Sequence, residues 1–232
     1  MATVLYPHQK RAIEKLKPGS ILVGGVGSGK TLTALVYFFE KICGGKTVQN
    51  GGNEYSPRLI EKELYVITTA KKRDSLDWEK EASNLPLKIT AVDSWNNISK
   101  YVHIKNAFFI FDEQRLIGNG VWVKSFLKIT NNNNQWILLS ATPADTWMDL
   151  IPLFIANGFY KNRSEFIRRH VVYSRFSKFP KVERYLEIRR LIELRDSILV
   201  NMHFKRNTVS HEINVICNLD KFKQKQILID RW

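Results

Sequence analysis

Cysteine is scarce in this sequence, and its two copies, Cys43 and Cys217, stand far apart without a Cys or His neighbour at metal-ligand spacing. This excludes a disulfide scaffold and a zinc site. Long apolar runs are also missing, because none approaches the roughly 18 residues that a membrane-spanning helix requires. The first residues, MATVLYPHQKR, contain no apolar segment of the kind that directs secretion. We therefore expect a cytoplasmic chain with no membrane partner and with both thiols reduced and buried.

Acidic residues are too few to balance the basic ones. The 232 residues include 36 Lys and Arg against 22 Asp and Glu, which gives a net charge of +14 at pH 7. The excess is larger in residues 151–232, with 17 basic and 8 acidic side chains, than in residues 1–150, with 19 and 14. Such an excess favours a polyanionic partner, most commonly nucleic acid, because neutralised phosphates release their counterions. A solvated basic face is the alternative.

The first half of the chain alternates short apolar runs with amphipathic segments, which is the pattern of a parallel sheet flanked by helices. This pattern predicts an α/β fold. The predicted strands cover residues 21–23, 64–68, 88–92, 107–111 and 136–139. The predicted helices cover residues 8–16, 30–42, 75–83 and 122–129.

The strand signal fades from about residue 147. Segments at 151–159, 164–171 and 182–199, the last two of which together contain several arginines, instead have the spacing of helices. We therefore predict three parts: a sheet domain over residues 1–146, a helical extension over 147–210 and a connecting segment over 211–232.

A glycine-rich run between the first predicted strand and the helix after it fits the pattern GxxxxGK[ST]. In such a loop, backbone N–H groups converge on phosphate oxygens and the helix N-terminus adds partial positive charge. The lysine reaches the β and γ phosphates, and the following hydroxyl ligates magnesium. A plain glycine-rich turn, the alternative, would not need Lys-Thr at this place. The predicted nucleotide-binding residues are Gly24, Gly25, Val26, Gly27, Ser28, Gly29, Lys30 and Thr31.

Two adjacent carboxylates, Asp112 and Glu113, follow the apolar strand predicted at 107–111. This position would place them at the carboxyl edge of the sheet, beside the phosphate loop. There Asp112 can hold magnesium through its water shell, and Glu113 can orient and deprotonate the water that attacks the γ phosphate. The pair favours hydrolysis over transfer to a bound small molecule. An exposed acidic turn is the alternative.

A third motif, SATP at residues 140–143, follows the strand predicted at 136–139. In this order GGVGSGKT, FDEQ and SATP resemble the N-terminal RecA-like lobe of superfamily 2 DEAD/DEAH-like helicases. YPHQ at 6–9 resembles the N-terminal glutamine motif of these proteins, and VDSW at 92–95 resembles the DNA-contacting segment before the strand that ends in Asp112. LDWEKE at 76–81 resembles the W-x-x-E segment of the Swi/Snf-like translocase branch. Gln114 and Arg115 depart from the family pattern, which has Ala and then Asp or His there. Compact relatives of this type are often phage-encoded, which would place the chain in the host cytoplasm.

The resemblance implies a RecA-like P-loop domain that binds ATP and Mg²⁺ and hydrolyses ATP as part of a DNA helicase or translocase. It implies that Gln9 recognises the adenine edge, and that Ser140 and Thr142 couple the state of the γ phosphate to DNA contacts. The alternatives are an exposed polar residue for Gln9 and a helix cap for the other two. Such motors need a second RecA-like lobe. We expect that lobe in a longer chain that contains this sequence, or in a partner protein.

Helicases of this kind hold the phosphate backbone, so no base preference is expected, and RNA stays open beside DNA. For Trp95 a place in the core is favoured over stacking on a base. The predicted contact residues are Thr69, Lys71, Lys72, Arg73, Ser94 and Trp95, with Arg168, Arg169 and Arg175 on the extension.

Two other functions compete with a motor lobe. The first is a nucleotide-dependent DNA-binding module with little turnover because the second lobe is missing. The second is a small-molecule P-loop kinase, and SATP after the strand that ends in Asp112 argues against it. The sequence leaves open whether duplex or single strands are preferred and whether strands are separated.

Overall fold

A computed structural model of the protein describes residues 4–47, 55–113 and 116–204. Gln114, Arg115, Cys217 and the connecting segment predicted over 211–232 lie outside these ranges. The strands are β1 Ile21–Val23, β2 Lys46–Thr47, β3 Tyr55–Ser56, β4 Leu64–Thr68, β5 Ala91–Ser94, β6 Phe108–Asp112, β7 Gln135–Ser140, β8 Val171–Tyr173, β9 Val182–Tyr185 and β10 Leu199–Asn201.

Eight α-helices accompany these strands in the described part of the chain. They are α1 Pro7–Lys15, α2 Lys30–Tyr37, α3 Ala70–Asp74, α4 Asp77–Ala82, α5 Val121–Thr130, α6 Ile151–Ala156, α7 Arg163–His170 and α8 Ile188–Ile198. A π-helical turn, Phe38–Ile42, extends α2, and 3-10 helices cover Trp95–Tyr101 and Trp147–Leu150. No helix in the described ranges is long and apolar enough to cross a membrane.

Six strands form one parallel sheet in the order β10-β1-β7-β6-β4-β5. Helices cover both of its faces, so β4 and β6 are buried along their whole length. Alternate side chains of β6 enter different cores: Phe108 and Ile110 pack on one face, and Phe109 and Phe111 on the other. The predicted fold class, a RecA-like α/β sheet flanked by helices, is confirmed.

The predicted strands agree with the sheet within three residues at each end. Those predicted at 21–23 and 64–68 have the observed bounds, and the one predicted at 88–92 lies at Ala91–Ser94. Its position is set by the register with β4, in which Tyr65 pairs with Ala91 and Thr68 with Ser94. The local pattern of apolar residues does not reveal this pairing with β4.

The helix predicted over 182–199 is wrong at both ends. Val182–Tyr185 is a strand that pairs antiparallel with Val171–Tyr173, and Leu199–Asn201 pairs in parallel with β1. Glu187, at φ 52°, separates β9 from α8. The segment predicted as a helical extension thus contributes an antiparallel hairpin and one edge strand of the central sheet. The boundary at residue 147 stays a prediction.

Candidate nucleotide-binding site

The predicted motifs meet at the carboxyl edge of the parallel sheet. The phosphate loop follows β1, Asp112 ends β6 and Ser140 ends β7. Register places Val23 beside Ser140, and Asp112 beside Leu139. The Gly24 N–H donates to the Ser140 carbonyl at 3.2 Å, which attaches the phosphate loop to the SATP segment.

The phosphate loop curves through two glycines in the left-handed region, Gly27 at φ 76° and Gly29 at φ 77°. A Cβ on Gly29 would also collide with the side-chain amide of Gln9. The next residue, Lys30, begins α2, so the helix N-terminus points its free N–H groups at the loop. This is the backbone arrangement that a phosphate site requires.

Lys30 connects the loop to the carboxylates. Its ammonium donates to the carbonyls of Gly24 at 2.7 Å and Gly25 at 3.0 Å. Burial lowers the pKa of Lys30 and the charge of Lys72 lowers it further, while Asp112 and Glu113 oppose the shift. The phosphate loop and both carboxylates therefore form one electrostatic cluster.

Asp112 is buried, with 1% of its side chain exposed. Its Oδ2 accepts hydrogen bonds from the Thr68 hydroxyl at 2.9 Å and from the Lys72 ammonium at 3.1 Å. Burial raises the pKa of Asp112, although Lys72 and Thr68 oppose the shift. Thr68 is a residue of the candidate site that the sequence analysis missed. Its place at the end of a buried strand, as with Asp112 on β6, was the available signal.

Glu113 follows Asp112 in the left-handed region at φ 55°. This conformation is uncommon for a residue with a side chain, and it ends the extended backbone of β6. The side chain is 42% exposed, and its Oε1 accepts a hydrogen bond from Lys72 at 2.6 Å. Glu113 is therefore open to water on one side and held by a cation on the other.

Lys72 was predicted to contact nucleic acid, but the structure places its ammonium between the two carboxylates. Burial works against its charge, yet Asp112 and Glu113 outweigh this effect and raise the pKa of Lys72. In this conformation Lys72 serves as the counter-ion of the carboxylate pair. The local sequence KKR could not distinguish this lysine from its neighbours.

Two buried polar atoms at this edge have no hydrogen-bond partner among the described residues: Ser28 Oγ and Asp112 Oδ1. An unsatisfied carboxylate oxygen beside a phosphate loop fits a magnesium-bound water as its partner. In the described ranges no three His, Cys, Asp or Glu side chains group as a metal site. A divalent ion here would thus need further oxygens, such as the Thr31 hydroxyl and the phosphates of a nucleotide.

Gln9 lies behind the phosphate loop and is only 2% exposed, so the alternative of an exposed polar residue is wrong. Its amide accepts a hydrogen bond from the Tyr6 N–H at 2.8 Å and donates to the Gly29 carbonyl at 3.4 Å. His8 Nε2 lies 3.1 Å from the Ser28 carbonyl. The start of α1 is therefore attached to the loop, and adenine recognition by Gln9 stays a prediction.

In the SATP segment, Ser140 is 5% exposed and its Oγ accepts a hydrogen bond from the Thr142 N–H at 3.1 Å. This closes a local turn, and the next helix begins only at Trp147. The segment is therefore not a helix cap, and the coupling role of Ser140 and Thr142 stays a prediction.

The remaining candidate contacts are divided between surface and core. Thr69 caps α3, and Lys71 beside it is exposed. Ser94 and Trp95 are each only 3% exposed. The Trp95 indole donates to the Asp112 carbonyl at 2.9 Å, so the core position favoured for it is confirmed and stacking on a base does not fit.

Arg73 pairs with Asp74 at 2.7 Å and lies 3.5 Å from Asp93. Arg168, Arg169 and Arg175 are exposed. These arginines stay candidates for nucleic-acid contact.

No protein-family model matches the chain, and no curated protein matches it. Among solved structures, the chain is similar to the Pyrococcus furiosus Hef helicase domain, with a TM-score of 0.39 and 14% sequence identity. The alignment covers 72% of this chain and 39% of that one, so the chain spans well under half of its length. A similarity of this extent carries no argument about function, which has to be inferred from the site.

Proposed function

We propose that this protein is the ATP-binding lobe of a nucleic-acid motor of the superfamily 2 helicase or translocase type. One observation carries the proposal: the phosphate loop with Lys30, which follows β1, and the carboxylates Asp112 and Glu113, at the end of β6, lie at the same carboxyl edge of the sheet. Nucleotide hydrolysis needs a phosphate cradle, a magnesium-holding carboxylate and a general base at one place.

Each residue of the cluster has a role in this proposal. Lys30 binds the β and γ phosphates of ATP, and the loop N–H groups bind their oxygens. Thr31 and Asp112 would hold Mg²⁺, which supplies charge neutralisation to the phosphates. Glu113 orients the attacking water and accepts its proton. Lys72 releases Glu113 before that step, because a carboxylate held by an ammonium at 2.6 Å is a poor proton acceptor.

The net charge of +14 supports nucleic acid as the polymer on which the motor acts. DNA is our proposal, with RNA as the alternative. A second RecA-like lobe, in the same chain or a partner, would complete the site. The Swi/Snf-like branch and a phage origin stay predictions from the motifs alone.

A second candidate function is a nucleotide-dependent DNA-binding module with little turnover. The contact between Lys72 and Glu113 favours it, because this contact occupies the proposed general base. Both candidates would bind ATP and DNA, but only the motor lobe would hydrolyse ATP at an appreciable rate.

ATP hydrolysis by the chain and by Glu113→Gln, each with and without DNA, distinguishes them. A motor lobe gives DNA-stimulated turnover that Glu113→Gln abolishes while ATP binding persists. Binding of both ligands without turnover would establish the second candidate. Normal turnover by Glu113→Gln would show that another group activates the water.

A further inference from the structure

Two phenylalanines stand in solvent at the tip of the β8–β9 hairpin. Residues 174–181, SRFSKFPK, connect the two strands, and we call them the tip loop. Phe176 is fully exposed and Phe179 is 75% exposed. The largest buried side chains of the described chain include eight other phenylalanines. Two exposed phenylalanines three residues apart are therefore a feature to be explained by a partner.

Hydrogen bonds within the hairpin hold the tip loop in a closed conformation. The Ser174 N–H donates to the Lys181 carbonyl at 2.9 Å and closes the base of the loop. Above it, the Phe176 N–H donates to the Ser174 hydroxyl at 3.3 Å. The strands shift register at Val172 and Tyr173, and irregularities of this kind bend a hairpin. The fold thus presents the two rings on a closed loop.

The charge of the tip loop selects the kind of partner. Arg175, Lys178 and Lys181 are exposed, and the loop contains no acidic residue. Exposed aromatic rings between cations match single-stranded nucleic acid, whose bases stack on the rings while its phosphates pair with the cations. Further exposed arginines lie on the neighbouring elements, at Arg168, Arg184 and Arg190, whereas Arg169 and Arg189 pair with Glu165 and Glu193.

The base of the hairpin lies close to the SATP segment. Tyr185, the last residue of β9, and Trp147 line one cleft of about 500 Å³ together with Pro143. Arg195 of α8 lines the same cleft and lies over the Trp147 ring at 5.5 Å. A nucleic-acid strand bound at the tip loop would therefore be connected, through the hairpin, to the surface beside Ser140 and Thr142.

We infer that the tip loop binds unpaired bases, with Phe176 and Phe179 as stacking platforms and Arg175, Lys178 and Lys181 as phosphate contacts. The inference rests on the proposed function and deepens it, because it names the form of nucleic acid. Base faces are covered inside a duplex and are accessible in single strands. The loop therefore selects single-stranded segments and single-strand/duplex junctions over continuous duplex.

Fluorescence anisotropy with a labelled single-stranded 20-mer and the matching blunt duplex tests this assignment. Replacing both Phe176 and Phe179 by Ala should weaken single-strand binding about tenfold or more and leave duplex binding within about twofold. The double Trp variant at these positions should retain single-strand affinity, because a larger ring also stacks. Leu59→Ala, which truncates an 81% exposed apolar residue outside the hairpin, is the matched control and should change neither affinity.

Salt dependence separates the two kinds of contact. Replacing Lys178 and Lys181 by Gln should reduce the slope of log affinity against log salt by about 1.4, because each phosphate contact to a single strand contributes about 0.7. The double Phe→Ala variant should keep the wild-type slope, because stacking releases no counterions.

Four results would overturn the assignment. Unchanged single-strand affinity in the double Phe→Ala variant, or an equal loss for duplex, would remove base stacking while the motor function stands. Binding of phosphatidylserine vesicles lost in this variant, with single-strand binding retained, would assign the loop to an anionic membrane surface. A wild-type chain that binds ATP and no nucleic acid of either form would overturn both this assignment and the nucleic-acid part of the proposed function.

Discussion

Removing the charge of Lys72 should destabilise the protein, because Lys72 is the counter-ion of a buried carboxylate. The variant is Lys72→Met, which keeps the length of the side chain and its apolar stem. The ammonium lies 3.1 Å from Asp112 Oδ2 and 2.6 Å from Glu113 Oε1, and the exposed fractions of these two acidic side chains are 1% and 42%. The contact of Lys72 with the buried Asp112 should therefore contribute more to the free energy of unfolding than its contact with the exposed Glu113.

Breaking a fully buried ion pair by removing one partner costs about 3–5 kcal/mol, whereas an exposed pair contributes at most about 1 kcal/mol. Lys72 is 27% exposed and the Thr68 hydroxyl remains on Asp112, so the cost should fall between these limits. We expect the free energy of unfolding to fall by about 2 kcal/mol at pH 7.

Urea unfolding, followed by tryptophan fluorescence, measures this change. For a slope of about 2 kcal/mol per molar urea, the midpoint should fall by about 1 M. Lys71→Met, the same substitution at the exposed neighbouring residue, is the control and should change the free energy of unfolding by under about 0.5 kcal/mol. Equal midpoints for the two variants would refute the inference that Lys72 balances Asp112.

Three further outcomes follow from other contacts. Gly29→Ala should lower the free energy of unfolding by about 1–3 kcal/mol, because φ is 77° and the new Cβ collides with the Gln9 amide, while Gly25→Ala has open space and should be near neutral in the same urea assay. Burial opposes ionisation of Asp93, but hydrogen bonds from Asn97, Ser94 and Tyr101 outweigh it and lower its pKa, so Asp93→Asn should cost about 1 kcal/mol at pH 7. That stabilisation is present above the ordinary carboxyl pKa of 3.8 and disappears as pH falls through the lowered value, so the thermal midpoints of wild type and variant should converge in acid. Nucleic-acid affinity should fall steeply between about 50 and 200 mM salt, and a flat response in anisotropy titrations would contradict a phosphate-dominated interface.

The central sheet was predictable because its signals are local. Buried strands such as Leu64–Thr68 and Phe108–Asp112 are continuous apolar runs, and the phosphate-loop glycines mark the start of α2. Because parallel strands end at one edge, their motifs could be placed together from the sequence. Pairing between strands that are far apart in the sequence could not be predicted. Leu199–Asn201 pairs with β1 near the start of the chain. Because the residues before it have helical spacing, this strand was not predicted.

The candidate site also combines residues that the local sequence predicts with contacts that only the tertiary structure reveals. Residue types fixed the positions of Lys30, Asp112 and Glu113, since each is required by phosphate chemistry. The partner of the carboxylates could not be predicted, because Lys72 is one of three consecutive basic residues and only the turn of α3 decides which one points inward. Burial of Trp95 was favoured on general grounds, but its hydrogen bond to the Asp112 carbonyl depends on the sheet order, in which β5 pairs with β4 and β4 pairs with β6.

The most direct test of the proposed function is a titration of a fluorescent ATP analogue with Mg²⁺ into the wild-type chain and into Lys30→Ala. Lys41→Ala, an exposed lysine at the far end of the π-helical turn after α2, is the control. The wild type and the control should bind saturably. Lys30→Ala should bind at least about tenfold more weakly, because the proposed role of this lysine is direct contact with the phosphates. Equal affinity in wild type and Lys30→Ala, or no binding by the wild type, would contradict the assignment of residues 24–31 as a nucleotide site.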